Sequence, residues 1–363
     1  MECPAELRPS CLITFLWRGD ESTQNVLIRS EAMPGAPAEH LFDRIPGTGI
    51  WYRTYLFRDD ARFMYMLSVN DPLTPWDVQG PERRKRYAGV RTDPLNRYVT
   101  NDPRSASYVS LPRAPSDRWI EDRAGVAHGE LQTHDLPSVA LSGKRWVDVY
   151  TTPGFQRGAG VTPVLILFDG EEAKALSKTP IILDNLFAER RIPQMIAVFL
   201  AQPYERRETD LACSEATNVF LTKELLPWLR GEYRIRTAAD RTVVAGASLG
   251  GLAAAYAALR HPEKIGRVLS QSGSFWWGRT DAEPEWLTSE FKSKPRVNAR
   301  FYLDVGLMET EGNAISQLET NRRLVAVLRS KGYKVVYHEF NGTHSYPCWR
   351  AGFADALTAL LSD

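Results

Sequence analysis

The sequence predicts an α/β fold built on a mostly parallel central sheet, with a β-sandwich ahead of it. Three observations carry that prediction. From about residue 129 onward, short apolar segments alternate with helical patterns of roughly 10 to 17 residues, the spacing of βαβ crossovers. Before residue 70 the chain instead carries short stretches rich in β-branched and aromatic residues, separated by turn-prone segments such as Pro34-Gly35-Ala36-Pro37 and Pro46-Gly47-Thr48-Gly49. A length of 363 residues exceeds the usual range of one domain. Two domains are therefore expected, residues 1–128 and 129–363.

In the first, residues 12–17, 26–29, 50–58 and 62–69 show partial period-two alternation and read as strands. Residues 71–115 run through Pro, Asp, Asn and Arg clusters with little apolar periodicity and read as a long connecting loop. In the second, residues 143–150 and 162–168 read as strands, 173–189 as a helix and 195–200 as a strand. Residues 218–230 (helix), 242–245 (strand), 251–259 (helix), 267–272 (strand) and 300–305 (strand) follow. A helix over 313–330, a strand over 334–340 and a last helix over 351–361 complete the order.

Composition narrows the function. Hydrophobic residues at 43%, charged at 25% and aromatic at 10% exclude disordered, collagenous and coiled-coil chains. Forty-five Lys plus Arg, 35 of them Arg, against 44 Asp plus Glu leave a net charge of +1. That balance provides no field for holding a phosphate backbone, so no nucleic-acid partner is expected. No apolar run approaches the roughly 18 residues of a membrane span, and no membrane partner is expected. The first 20 residues lack the pattern of a secretory signal, which makes a cytoplasmic location the expectation. Four scattered cysteines, Cys3, Cys11, Cys213 and Cys348, form neither a disulfide framework nor a zinc pattern and are read as thiols.

The chemistry centres on Gly246-Ala247-Ser248-Leu249-Gly250, which follows an apolar strand and opens an Ala-rich helix. A nucleophile elbow needs small residues two before and two after its serine, because the strand-to-helix bend leaves no room for side chains. It also sets the hydroxyl at a helix N-terminus, where free backbone N–H groups can hold an oxyanion. A serine needs a base. Of six histidines, His344 sits in a turn between the last strand and the last helix, where this chemistry places one; the others read as surface or structural. The acid falls between them in chain order. Glu309 is preferred by loop position, with Glu311 beside it and Asp304 at the strand end as alternatives; a capping role for the carboxylates at the following helix is the plainer reading. Oxyanion donors are expected from the backbone of Gly170 or Glu171, after an early strand, together with Leu249. An ordinary Asp-Gly turn would look the same. Arg206 and Arg207, with Trp276, Trp277 and Trp349, suit a flat anionic aromatic ligand through stacking, cation–π contact and charge-assisted hydrogen bonds, unless the tryptophans are core filler.

Several longer segments go beyond the elbow: Asp169-Gly170, Arg207 with Asp210-Leu211 and Cys213, residues 241–252, Leu269-Ser270-Gln271-Ser272-Gly273-Ser274-Phe275-Trp276-Trp277, and Gly342-Thr343-His344 followed by Cys348-Trp349-Arg350. With these the chain resembles the ferric enterobactin esterase family, cytoplasmic enterochelin esterases of the esterase D group of α/β-hydrolases. The resemblance implies an immunoglobulin-like sandwich ahead of an α/β-hydrolase domain. It also implies hydrolysis of the triserine trilactone of a catecholate siderophore, taken as such or as its ferric complex. Ser248 and His344 match the family's catalytic positions, Glu309 its carboxylate and Arg207 its siderophore-binding arginine. Glu171-Glu172-Ala173 depart from it, since relatives often carry an aromatic there. No resident cofactor is implied, because iron arrives with the substrate. Two other readings compete: a general carboxylesterase or acyltransferase of the same group, and a non-catalytic siderophore- or glycan-binding protein.

Overall fold

The computed structural model of the protein describes residues 1, 3, 9–76, 78, 80–100, 105–158, 160–280, 282–310 and 315–362. They form two compact units. The first comprises Met1–Ser116, Leu307–Glu311 and Phe340–Cys348; the second comprises Asp117–Gly306, Gly312–Glu339 and Trp349–Asp363.

Among the described residues the first unit holds seven strands: β1 (Ser10–Arg18), β2 (Val26–Arg29), β3 (Asp43–Arg44), β4 (Ile50–Arg58), β5 (Arg62–Val69), β6 (Val90–Arg91) and β7 (Ser107–Ser110). One sheet runs β1-β4-β3 and the other β2-β5-β6, with β7 pairing β5; every pair is antiparallel. Period-two alternation turns Ile13 and Phe15 of β1, and Phe63, Tyr65 and Leu67 of β5, into one core. Phe15 meets Tyr65 edge-on with ring centroids 4.7 Å apart. Each such side chain, once buried, stabilises the fold by roughly 1.5–3 kcal/mol.

The connecting loop expected over 71–115 is not featureless. It contains β6, β7 and helix α1 (Gly80–Tyr87). Apolar periodicity could not reveal α1, because the residue that docks it is Arg86. That arginine is 1% exposed, pairs with Asp71 and lies 4.1 Å from the Trp76 ring centroid. The cysteine reading also needs correction. Cys213 and Cys348 are buried thiols, but Cys3 and Cys11 form a disulfide across eight residues, a spacing that fits no recognised framework.

The second unit carries an eight-stranded sheet in the order β15-β14-β13-β12-β10-β11-β9-β8. In chain order its strands are β8 (Glu130–Ser138), β9 (Gly143–Thr151), β10 (Val164–Leu167), β11 (Ile196–Leu200), β12 (Thr242–Ala247), β13 (Arg267–Gln271), β14 (Arg300–Gly306) and β15 (Lys334–Phe340). The neighbours from β11 through β10, β12 and β13 to β14 are parallel, and β8 and β9 add an antiparallel hairpin at the edge. The central strands are buried on both faces. In β10, Val164 and Ile166 enter one core while Leu165 and Leu167 enter the other. Helices cover both sides: α2 (Gly170–Ala175), α3 (Thr179–Ala188), α4 (Arg207–Leu211), α5 (Glu215–Val219), α6 (Leu226–Glu232), α7 (Leu249–Arg260), α8 (Trp286–Ser293), α9 (Gln317–Ser330) and α10 (Tyr346–Leu361).

The single helix expected over 173–189 is two. Pro180 sits in the first turn of α3, and Lys178 before it takes φ +57°, so α2 cannot continue through. The expected helix over 218–230 is the run from α5 to α6, with a π-helical stretch at Phe220–Leu225. Strand β8 and helix α8 escaped the pattern reading altogether. Part of the helix expected over 313–330 lies outside the described residues, and α9 begins at Gln317. Among the described residues, no helix is long and apolar enough to cross a membrane.

Candidate active site

Ser248 stands between β12 and α7, in the second unit, with φ 58° and ψ −123°. A non-glycine residue held there costs roughly 1–3 kcal/mol, so the surroundings must over-determine it. They do. The Ser248 N–H donates to the Gln271 carbonyl at 2.9 Å, and its own carbonyl accepts from the N–H groups of Gly251, Leu252 and Ser274 at 3.0, 3.2 and 3.0 Å. A Cβ at Gly246 would come within 2.6 Å of the Gly250 carbonyl carbon, main-chain atoms that cannot yield. At Gly250 the closest contact would be 3.2 Å, to the Phe168 Cβ. Of the two glycines expected from the motif, the first is therefore sterically required and the second is merely tight.

The Ser248 hydroxyl is half-buried and lies 3.2 Å from the Ser274 hydroxyl. Ser274 is 1% exposed and bonds the elbow twice, through its N–H and its hydroxyl. Nothing in residue type marks this serine, within residues 269–277, as a partner of the elbow. Leu249 is the first residue of α7, so its N–H lacks a partner within that helix. Gly170 and Glu171 open α2 and present N–H groups in the same way. The turn before them is fixed: Asp169 takes φ 51°, its N–H donates to Gln202 Oε1 at 2.6 Å, and its carboxylate accepts a two-pronged bond from Arg207, Nε at 2.7 Å and Nη2 at 2.8 Å. Arg207 thus braces the expected oxyanion loop.

Other pocket expectations fare differently. Arg206 donates to the Leu141 carbonyl at 3.1 Å and to Asp210. Trp276 and Trp277 are half-buried, and Trp277 packs edge-on against Trp286 at 6.2 Å. Trp349 is 4% exposed and donates its indole N–H to Ser272 Oγ at 2.9 Å, so it is core filler with no face to offer a ligand.

His344 and Glu309 belong to the first unit. Glu309 is 3% exposed, and its Oε2 lies 2.6 Å from His344 Nδ1, which leaves Nε2 as the ring's reactive nitrogen. The two loops run side by side: the Leu307 N–H donates to Phe340 O at 2.8 Å and the Met308 N–H to Gly342 O at 3.1 Å. Asp304, the strand-end alternative, instead accepts from the Gln271 side chain at 3.0 Å. Glu311 lies outside the described residues.

The histidine turn is gripped by strand β5. Arg62 donates its N–H to Asn341 O at 2.9 Å and Nη1 to Pro347 O at 3.0 Å, and its carbonyl faces Cys348 Sγ at 3.1 Å. A further carboxylate, Glu31, accepts the His344 main-chain N–H at 2.9 Å. Neither Arg62 nor Glu31 was singled out from the sequence. Three other histidines are held in place, His40 by Tyr55, His128 by Asp184 and His134 by Tyr233.

A strained serine and a carboxylate-paired histidine are the components of acyl-transfer chemistry, and comparison with known proteins decides the family. The Esterase family profile matches residues 138–360, and the profile described as Enterochelin esterase, N-terminal, matches residues 12–120. An iron(III) enterobactin esterase of Dickeya dadantii is 30% identical over 96% of this chain and 87% of its own length. The chain belongs to the enterobactin esterase family. It is accordingly a carboxylic ester hydrolase. Among solved members of that family, the enterobactin esterase of Shigella flexneri, crystallised in the presence of enterobactin, is 26% identical and superposes with a TM-score of 0.79, covering 97% of this chain and 93% of its own. The ferric enterobactin esterase of Salmonella typhimurium, also 26% identical, gives 0.81 over 97% and 94%. Both the fold expected from the sequence and its resemblance to enterochelin esterases are borne out.

Proposed function

We propose that this protein is a serine esterase that opens the triserine trilactone of a catecholate siderophore of the ferric enterobactin type and so releases iron in the cytoplasm. The observation that carries this reading is the strained backbone of Ser248 between β12 and α7, which the surrounding hydrogen bonds hold at the opening of the helix with its hydroxyl presented. The names of the relatives support the choice of substrate.

In this mechanism Ser248 attacks a serine-ester carbonyl and His344 takes the hydroxyl proton. Glu309, hydrogen-bonded at Nδ1, keeps the imidazole in the productive tautomer and stabilises the imidazolium that forms. The N–H groups of Leu249 and of Gly170 or Glu171 hold the oxyanion, each contributing roughly 3–4 kcal/mol to transition-state stabilisation. His344 returns the proton to the departing serine hydroxyl, and water then releases the acyl-enzyme. Arg207 acts here through Asp169, and the half-buried Trp276 and Trp277 offer catechol-sized faces.

No resident cofactor enters any step, and iron is cargo. Opening the ring weakens the grip on Fe(III), because a cyclic chelator has already lost freedom that a linear one must still lose. The cytoplasm is where this product is useful; the Cys3–Cys11 bridge is a feature such a compartment does not favour.

The test is chromatographic product analysis with iron-loaded and iron-free trilactone, wild type beside Ser248→Ala. The wild type yields catecholoyl-serine units and the variant none. Persistent cleavage by the variant overturns the assignment of the nucleophile.

A further inference from the structure

Glu31 lies in the sandwich sequence, 313 residues before the histidine whose main-chain N–H it accepts at 2.9 Å. Its own placement is stiff. Met33 N–H donates to Ser30 O at 3.2 Å, closing a turn around Glu31, and Ala32 N–H donates to Ser30 Oγ at 3.1 Å. Ser30 Oγ donates in turn to Met64 O on β5, at 2.5 Å, while Met33 is anchored in the sandwich core at 5% exposure. The turn therefore presents the carboxylate from a rigid base formed by β2 and β5.

We propose that Glu31 is a positioning residue for the catalytic base, fixing the His344 main chain while Glu309 fixes the ring. The proposal rests on the assignment of His344 as base. Two independent anchors define an imidazole better than one: Glu309 sets the tautomer and tilt at Nδ1, and Glu31 sets where the residue's Cα stands. A charge-assisted bond from a main-chain N–H to a carboxylate is about twice as strong as a neutral one. The charges facing Glu31 are those of His344, Glu309 and Arg29. Although the residue as a whole keeps contact with solvent, desolvation of its carboxyl group pushes the pKa above the usual carboxylate range. The His344 N–H and imidazole partly offset that, and the nearby Glu309 charge adds to it.

The experiment measures kcat, KM and thermal midpoint for Glu31→Ala and Glu31→Gln on the trilactone, beside Ser248→Ala and His344→Ala. Glu31→Ala is expected to lose about tenfold in kcat with KM within twofold, the scale of a misplacement well under 1 Å. Glu31→Gln, whose amide oxygen accepts the same N–H, is expected to return to within about threefold of wild type, and both midpoints should stay within roughly 3 °C of it. The proposal is overturned by a Glu31→Ala kcat within twofold of wild type, by a Gln variant as slow as Ala, or by a loss that appears only in KM. Hydrolysis that survives His344→Ala overturns the base assignment instead, a result visible without reference to Glu31.

Discussion

Replacing Glu309 by Gln keeps the volume of a 3%-exposed side chain and removes only its charge, so the rate reports how far that charge supports the imidazolium. With Oε2 at 2.6 Å from Nδ1, the charge centres are about 4 Å apart, and at an effective dielectric of about 20 their attraction is about 4 kcal/mol. The His344 side chain is 28% exposed, and solvent screening at that edge brings the usable part to about 2–3 kcal/mol. At 1.36 kcal/mol per decade this predicts a fall in kcat of roughly 30- to 150-fold. The amide also offers an N–H where the ring needs an acceptor for its own, which favours the wrong tautomer and pushes the loss toward the upper figure. The assay is the steady-state release of catecholoyl-serine from the trilactone, with KM and thermal midpoint followed in parallel. A Glu309→Gln enzyme within fivefold of wild-type kcat would refute the reasoning. Glu311, the neighbouring acid, would then become the residue to change.

Ser248→Ala should leave a folded protein without measurable product by chromatography, with its midpoint within roughly 3 °C of wild type. Gly246→Ala drives a Cβ to 2.6 Å from main-chain carbon, so a cost of roughly 2–3 kcal/mol is expected, read as a midpoint about 5–10 °C lower together with at least a tenfold loss of rate; Gly250→Ala, with 3.2 Å of room, should be distinctly milder in both calorimetry and kinetics. Burial pushes the Cys213 and Cys348 thiols well above the ordinary range, so an aromatic disulfide reagent at about pH 8 should label them far more slowly in the native protein than after unfolding. Thiol counts should be two after unfolding alone and four after reduction, and four without reduction would dispose of the Cys3–Cys11 bridge.

The elbow was legible because its constraint is local. A bend that tight excludes a side chain at Gly246, and the exclusion leaves a trace within five consecutive residues. The alternation of the second unit was legible for a similar reason: in β10 each successive residue enters a different core, so the strand reads as an unbroken apolar run. His344 and Glu309 could be found from chain order, although order left Glu311 and Asp304 in contention until distances selected the partner of Nδ1. Helix α1 was invisible because its docking residue is a buried arginine, and a reading that counts apolar residues treats Arg86 as solvent-facing.

What supports the histidine was hidden more deeply. Arg62 and Glu31 reach the turn through carbonyls and a main-chain N–H, groups every residue carries, so no side-chain pattern near His344 records the contact. Their own segments read as ordinary sandwich, and residues 307–311 and 340–348 belong to that compact unit although the chain places them among the strands of the sheet. A catalytic motif marks the atoms that react, because bond-making constrains residue type. Holding those atoms still constrains only position, and many residue types can satisfy it. For this protein the sandwich can therefore be part of the catalytic apparatus without a catalytic motif of its own. A change of kcat at unchanged KM in Glu31→Ala would show that the sandwich acts on the reaction itself rather than on the uptake of substrate.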